Sequence, residues 1–461
     1  MPGEFDLAVV GGGPGGYTAA IRAAQLGRRT VLIEKDRLGG VCGNWGCIPS
    51  KSLIHSASVF SAARSGEELG IVPGSLGFDY ARMVGHSRGA AERVGRGVAQ
   101  LLRKNGVTVL EGEGRLDEAG RLRVDGGAPV DAPLVLLAAG SVERILPGLE
   151  PAPPQVTTSR EFLEESTLPE SLVIVGGGVI GVELGYVASS LDVRVTIVEL
   201  EEQLLPGIDA SIARELERVL RRRGVVVQTG TRYLDLERER DGVRLRVEKE
   251  GEQGEVRAQR CLVAVGRQAH TEGLGLEAAG VVSEGGWVVV DERYRTSRPD
   301  VLAIGDLIDS PQLAHVAAAE GIAAVEIAVG RRPPGRLDPR TIPACVYCRP
   351  EIATVGLNEQ QARRAGYDVR VGEFSYRALG RAIATGETEG LVKIVVERRS
   401  GEVLGAHVLG EAATDVIAEA VMVMGLEGTV WDFGATIHAH PTFAEGLLEA
   451  AMASLGEGIN A

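Results

Sequence analysis

Two cysteines five positions apart, Cys42 and Cys47, lie in the segment Gly39-Gly40-Val41-Cys42-Gly43-Asn44-Trp45-Gly46-Cys47-Ile48-Pro49-Ser50-Lys51. Thiols at this spacing can join as a disulfide if the chain between them is not yet a regular helix, and the intervening glycines permit that. A thiolate at a helix N-terminus has a lowered pKa and becomes a stable electron donor. Two separate thiols buried as small hydrophobes fit the same spacing. A second chemical group stands in His438-Ala439-His440-Pro441-Thr442-Phe443-Ala444-Glu445. Dithiol chemistry needs a base to make the attacking thiolate and an acid to return the proton, and histidine serves both. A carboxylate such as Glu445 would orient the imidazole of His440; His438 is the weaker candidate. Thr442 and Glu445 also read as a capping box opening an apolar helix that contains Leu447, Leu448 and Ala451, and His440 before a proline reads as a turn residue.

These groups need elements to hold them. Phe5 to Val10 reads as a buried strand, followed by Gly11-Gly12-Gly13-Pro14-Gly15-Gly16, a helix over Tyr17 to Leu26, and a strand over Thr30 to Ile33 that ends at Glu34. Gly11, Gly13 and Gly16 fit G-x-G-x-x-G in the strand–turn–helix setting that this motif requires. Its glycines let the backbone approach a pyrophosphate, which the helix N-terminus stabilises, and Glu34 would accept from a ribose hydroxyl. The pattern recurs at Gly176, Gly178 and Gly181, between a strand over Leu172 to Val175 and one over Val193 to Val198 that ends at Glu199. Glu34 follows Gly11, and Glu199 follows Gly176, by 23 positions. Two dinucleotide sites imply two cofactors with electron transfer between them. Glu199 would repel a 2′-phosphate and no Arg or Lys occupies 200–203, so NAD is favoured over NADP.

The 461 residues suffice for two to four domains, and the net charge of −14 argues against nucleic acid as a partner. Aromatics make up only 4%, so the cores must rest on Val, Leu, Ile and Ala. No apolar run approaches the roughly 20 residues that span a bilayer. The start Met1-Pro2-Gly3-Glu4-Phe5-Asp6 shows no basic leader, and a cytoplasmic location is expected. Only 5 of the 49 basic residues are lysines. In such a chain, Lys51 suggests a position that wants an ammonium. Val243 to Val247 alternates as an antiparallel strand would, and Leu391 to Val396 and Val403 to Val408 read as strands. Ala412 to Met424 and Thr442 to Met452 read as helices.

Gly39 to Lys51 resembles the signature of the pyridine-nucleotide disulfide oxidoreductases, and its Cys-Ile-Pro-Ser-Lys ending resembles most closely the branch that oxidises dihydrolipoamide with NAD. The resemblance runs nearly end to end. Val301 to Asp306 resembles the family's second FAD motif, with Leu313, Ala314 and His315 as its continuation. Leu137 to Ser141 resembles the segment leaving the FAD domain, and Ala264 to Arg267, with Gly266, its counterpart leaving the NAD domain. The resemblance implies an α/β chain of two Rossmann-like domains plus a C-terminal α+β dimerisation domain. FAD binding is expected in 1–145 and 271–340, NAD binding in 146–270 and dimerisation in 341–461. It implies Asp306 on the ribityl chain of FAD, Lys51 near the flavin ring paired with Glu183, and a Cys42–Cys47 redox disulfide. It also implies a homodimer in which His440 and Glu445 serve the other subunit. Dihydrolipoamide, or the lipoyl domain of an acyltransferase core in a 2-oxo acid dehydrogenase complex, is the implied partner. Related glutathione-type reductases usually take NADPH, which Glu199 disfavours; mercuric reductases carry a C-terminal cysteine pair, and this chain ends Glu-Gly-Ile-Asn-Ala. A subunit that docks in such a complex with incidental redox activity is the alternative from another class.

The pattern departs in places. Cys345-Val346-Tyr347-Cys348 would suit redox or metal chemistry, but one such pair lacks half of a zinc site, and two inert thiols near a strand are expected. Cys261, within a strand, reads as core. Gly43 and Trp45 replace the residues expected between the redox cysteines, Ala139 stands where threonine is frequent, and Val316 where lysine is common.

Overall fold

The computed structural model describes residues 4–72 and 74–460. Met1 to Gly3 of the segment read for a leader, and the last residue of the tail, lie outside them. The first sheet is parallel, in the order Val301–Ala303, Val135–Leu137, Leu7–Val10, Thr30–Glu34, Thr108–Glu111. Helices cover a parallel sheet on both faces, so its strands must be apolar throughout rather than alternating. Leu7–Val10 obeys this: all four residues of Leu-Ala-Val-Val are buried. Helix Pro14–Gln25 starts three residues before the expected Tyr17, with Pro14 in its first turn, where the missing N–H costs nothing.

A second parallel sheet runs Val226–Gln228, Arg194–Val198, Ser171–Val175, Arg260–Val263, Val156–Thr158. Thr231–Glu239, Gly242–Lys249 and Glu252–Ala258 form the antiparallel layer that the alternation over Val243 to Val247 predicts. The two parallel sheets are linked by the antiparallel pair Ser141–Glu143 and Arg267–Ala269, one strand leaving the first unit and the other returning to it. A third, antiparallel sheet orders Ala344–Val346, Glu351–Gly356, Val403–Gly410, Leu391–Glu397 and Val369–Ser375. Helices Ala413–Gly425 and Glu445–Leu455 pack on it. The cores are built mainly of Val, Leu, Ile and Ala, as the scarcity of aromatics requires.

The expected start of the last helix is also wrong. The last helix begins at Glu445, not at Thr442. The capping box is only half formed: the Glu445 carboxylate accepts the Thr442 N–H at 2.7 Å, but the Thr442 hydroxyl donates to the Ala439 carbonyl at 2.8 Å. Residues 442–444 therefore form a turn ahead of the helix.

Candidate active site

Both glycine turns stand at the carboxyl ends of their strands, where ligands bind in open α/β sheets. Gly11 (φ +105°) lies so close to the neighbouring strand that a Cβ would overlap the Ala138 carbonyl, and Gly176 (φ +109°) meets the Ala264 carbonyl in the same way. The outer face is open: the nearest atom to a Cβ on Gly13 would be 3.9 Å away, and a Cβ on Gly178 would meet nothing within 4 Å. Gly16 and Gly181 each leave room for the carbonyl of the first glycine of their turn. Each acidic residue braces its own turn. Glu34 accepts the Gly12 N–H at 2.6 Å and the Asp36 N–H at 2.8 Å; Glu199 accepts the Gly177 N–H at 2.5 Å and the Glu201 N–H at 2.8 Å. The helices that follow have no side-chain cap, so their first N–H groups remain available to an anion.

The two turns open into one cavity of about 1700 Å³ that also exposes Cys42, Cys47 and Lys51. A single ligand pocket is usually about 300–1,000 Å³, so this one has room for two dinucleotides, and the two open glycine cradles fit their pyrophosphates. Asp306, Leu313, Ala314 and His315 line it together with Ser141, Glu183 and Gly266. Ser141 joins the segments: its hydroxyl donates to Asp306 at 2.5 Å and accepts from Arg267 Nε at 2.8 Å. His315 Nε2 lies 2.8 Å from the Pro343 carbonyl.

Cys42 and Cys47 are joined as a disulfide, which removes the reading of two separate buried thiols. Their Cα atoms are 4.7 Å apart, whereas five residues of regular helix rise about 7.5 Å. The helix is broken accordingly: Gly40–Trp45 ends at Gly46, with φ −139° and ψ −110°, and Cys47–Arg64 starts anew. Gly40 (φ +56°) brings the cysteine segment against the first nucleotide turn; a Cβ there would stand 2.7 Å from the Gly13 Cα. Asn44 pins the segment from within, its amide donating to the Leu38 and Gly40 carbonyls at 3.1 and 2.9 Å. Trp45 is anchored by Nε1 to Glu164 at 2.8 Å, with the Arg160 guanidinium 3.9 Å over its ring, and lines the cavity. Gly43 is buried, Ala139 lines the cavity, and Val316 is buried in the helix Ala314–Ala328.

Lys51 meets both Glu183 oxygens, at 3.0 and 2.9 Å, and Glu183 is only 3% exposed. Tyr347, not foreseen from sequence, completes this pair: its backbone N–H donates to Glu183 at 2.9 Å and its ring lies 4.6 Å from the Lys51 ammonium. Glu320 was also missed. It is buried in the Ala-rich helix Ala314–Ala328 and accepts the Gly305 N–H at 2.7 Å, which fixes the turn carrying Asp306. Burial raises its pKa, against the hydrogen bonds from Gly305 and Ser310. One of two acids within an otherwise apolar helix was the available signal. Cys345 and Cys348 are free, near a strand as expected; burial pushes the Cys345 thiol up to about 11 and raises that of Cys348. Cys261 is fully buried in strand Arg260–Val263, its thiol pushed up to about 12.

His440 and Glu445 come together, with Nδ1 2.9 Å from Oε1. The imidazole is 76% exposed, and neither residue lines the cavity of its own chain. His438 is instead tied down, Nε2 to Glu419 at 2.7 Å and Nδ1 to the Thr436 carbonyl at 3.1 Å.

Two dinucleotide turns facing one cavity, with a disulfide set between them, define an oxidoreductase that exchanges electrons between dithiols and nucleotide cofactors. The chain belongs to the pyridine nucleotide-disulphide oxidoreductases: that family's description matches residues 5–321, and its dimerisation domain matches 342–451. FAD and NAD are the cofactors of this class, and the chain forms a homodimer through the second region. Curated relatives named dihydrolipoyl dehydrogenase include one from Bacillus subtilis, 40% identical over the whole of both chains. Another, from Chlorobaculum tepidum, is 41% identical over 99% of this chain and 98% of its own. LpdA of Mycobacterium tuberculosis superposes with a TM-score of 0.89 at 30% identity, covering 97% of this chain and 99% of that one. The HOCl-induced flavoprotein disulfide reductase RclA of Escherichia coli gives 0.85 at 26%, covering 97% and 99%. Among the described residues, no helix is long and apolar enough to cross a membrane.

Proposed function

We propose that the chain oxidises dihydrolipoamide to lipoamide and reduces NAD, as a dihydrolipoyl dehydrogenase. The observation that carries this reading is the Cys42–Cys47 disulfide in the cavity shared by both nucleotide turns. Gly11, Gly13, Gly16, Glu34, Ser141, Asp306 and the helix start at Leu313, Ala314 and His315 would hold FAD, with Lys51 beside its ring. Gly176, Gly178, Gly181, Glu183, Glu199 and Gly266 would hold NAD. Bound FAD supplies the two-electron relay between dithiol and nicotinamide.

The thiol chemistry falls to this chain's own side chains. His440 of a second copy takes a proton from one substrate thiol at Nε2, the nitrogen left free when Nδ1 faces Glu445. The substrate thiolate attacks the sulfur of Cys42, and the Cys42–Cys47 bond breaks, leaving Cys47 as a thiolate. The second substrate thiol attacks the substrate sulfur of the mixed disulfide, its proton passing to the departing Cys42 sulfur; a cyclic disulfide leaves, Cys42 is left as a thiol, and the His440 imidazolium keeps the first proton beside Glu445. The substrate has lost two electrons and the cysteine pair holds them. Glu445 keeps its charge throughout neutral pH. Burial alone would raise its pKa, but the hydrogen bonds from His440 and Thr442 outweigh this and lower it.

The same reading places the FAD unit at 1–145 and 271–340, the NAD unit at 146–270 and the dimerisation unit at 341–461. It makes the lipoyl domain of an acyltransferase core the physiological dithiol carrier, in the cytoplasm. Anaerobic turnover of dihydrolipoamide with NAD and, in parallel, NADP tests it. NADH formation well above NADPH formation is expected. Failure with dihydrolipoamide, alongside turnover of another dithiol, would move the assignment to that substrate.

A further inference from the structure

Between Glu199 and helix Ala210–Arg222 the chain makes a loop of which Leu200, Glu201, Pro206 and Ile208 line the cavity beside the second glycine turn. One part of this loop is fastened to that turn, the Leu205 N–H donating to the Gly177 carbonyl at 2.9 Å. The far end is fastened to a different part of the molecule. Lys393, on strand Leu391–Glu397 of the C-terminal sheet, reaches Asp209 at 3.1 Å and Glu359 at 2.9 Å, with Glu373 at 3.7 Å. Lys393 is 4% and Asp209 3% exposed. Beside them the Asn358 amide donates to the Gly207 carbonyl at 3.2 Å, and the Glu359 N–H to Asp209 at 3.4 Å. Asp209 is the cap of its helix, accepting the Ser211 N–H at 3.0 Å, so its position sets both the helix start and the loop end.

From this geometry we infer that Lys393 is a positioning residue for NAD: from the C-terminal domain it clamps the loop 200–208 into the shape that closes the NAD side of the cavity. This rests on the reading of that side as the NAD site. Burying a charge is costly unless it is paired, and here the ammonium is matched by carboxylates from three other elements. Burial alone would lower the Lys393 pKa, yet Glu359 and Asp209 outweigh it and raise it, so the ammonium stays charged. His407, next to the cluster, adds no competing cation at neutral pH, because burial depresses it to about 4. Residue choice points the same way. The chain uses 44 arginines and 5 lysines, and this position keeps a lysine. A compact ammonium can meet carboxylates converging from different directions, whereas a planar guanidinium suits one carboxylate edge-on.

The test is Lys393→Met in the full-length, FAD-loaded dimer. The expected result is a KM for NAD raised about five- to tenfold, weaker NADH binding by fluorescence titration, and faster hydrogen exchange over 200–208. Reduction of the Cys42–Cys47 disulfide by dihydrolipoamide, read by thiol alkylation, should keep its wild-type rate. Lys393→Arg should restore folding but not the KM. Unchanged KM and unchanged loop exchange in a folded variant would overturn the clamp. If Lys393→Met does not fold, Glu359→Gln, at the partly exposed edge of the cluster, is expected to give the same split at about twofold, and no split would overturn the clamp equally. A wild-type enzyme that fails to use NAD at all would instead retract the reading of the site.

Discussion

The two nucleotide turns are near copies with different surroundings. Each has its first glycine pressed on a neighbouring carbonyl, its acid 23 positions on, and that acid bound to the N–H of the second glycine. Even the returning contact repeats: Gly39 N–H donates to the Gly12 carbonyl in the first copy, and Leu205 N–H to the Gly177 carbonyl in the second, both at 2.9 Å. Beyond that point the copies part. The first runs through Gly40 directly into the cysteine segment, while the second runs into the loop held by Asp209 and Lys393. Within the helices, Thr18 of the first copy corresponds to Glu183 of the second, the residue that pairs with Lys51. Shared features bind a dinucleotide; the differences decide which one touches the disulfide and how the two units face each other. Function here lies in what was added around a repeated scaffold.

Four changes would break or sharpen that contrast. The largest effect belongs to Cys42→Ser, which removes what only the first copy carries: NAD reduction by dihydrolipoamide should fall at least about 10³-fold, while the purified protein stays yellow with bound flavin. Next is His440→Gln, with an expected loss in kcat of about 10²–10⁴-fold in steady-state assays. A mixed dimer of this variant with Cys42→Ser should keep one working site, about half the activity of the wild-type dimer, because one wild-type disulfide then meets one wild-type dyad. Because the Glu445 carboxyl is held below its ordinary range, its protonation should not cost activity until the pH falls below that range.

A smaller effect is expected from Glu183→Thr, which gives the second helix the residue of the first. It leaves Lys51 and the Tyr347 N–H without their shared acceptor. A destabilisation of roughly 1–3 kcal/mol in chemical unfolding is expected, together with slower turnover. An unchanged midpoint with unchanged rates would show that the Lys51–Glu183 pair does not matter for joining the units. The smallest effect is that of Cys345→Ser with Cys348→Ser. Burial keeps the Cys345 thiol protonated at neutral pH and Cys348 is wholly enclosed, so turnover should stay within about twofold of wild type.

Much of this was legible from local pattern. The glycine turns, their strands and their acids are set within some thirty residues, and hydrophobic periodicity and turn chemistry act over that range. The Lys51–Glu183 pair was readable only through the family resemblance, since 132 residues separate its members. Spacing could not decide between a disulfide and two thiols at Cys42 and Cys47, because the answer depends on the backbone torsions of Gly46. The start of the last helix was misplaced because only one half of the Thr442–Glu445 capping box forms: the Thr442 N–H donates to Glu445, but its hydroxyl turns to the Ala439 carbonyl. Glu320, Tyr347 and Lys393 escaped notice because their roles come from tertiary neighbours; Lys393 finds Asp209 across 184 residues. Buried polar residues are where sequence pattern says least and the fold decides most.

The central claim is that the electron pair crosses from dithiol to nicotinamide through Cys42 and Cys47. The most direct measurement is anaerobic: add one equivalent of dihydrolipoamide per subunit, alkylate, and locate the label by peptide mass spectrometry, with and without subsequent NAD. The account predicts that Cys42 and Cys47 become labelled, that labelling of Cys345 and Cys348 does not change, and that NAD restores the protection of the first pair. NADH formation with Cys42 and Cys47 still joined at every stage would contradict it.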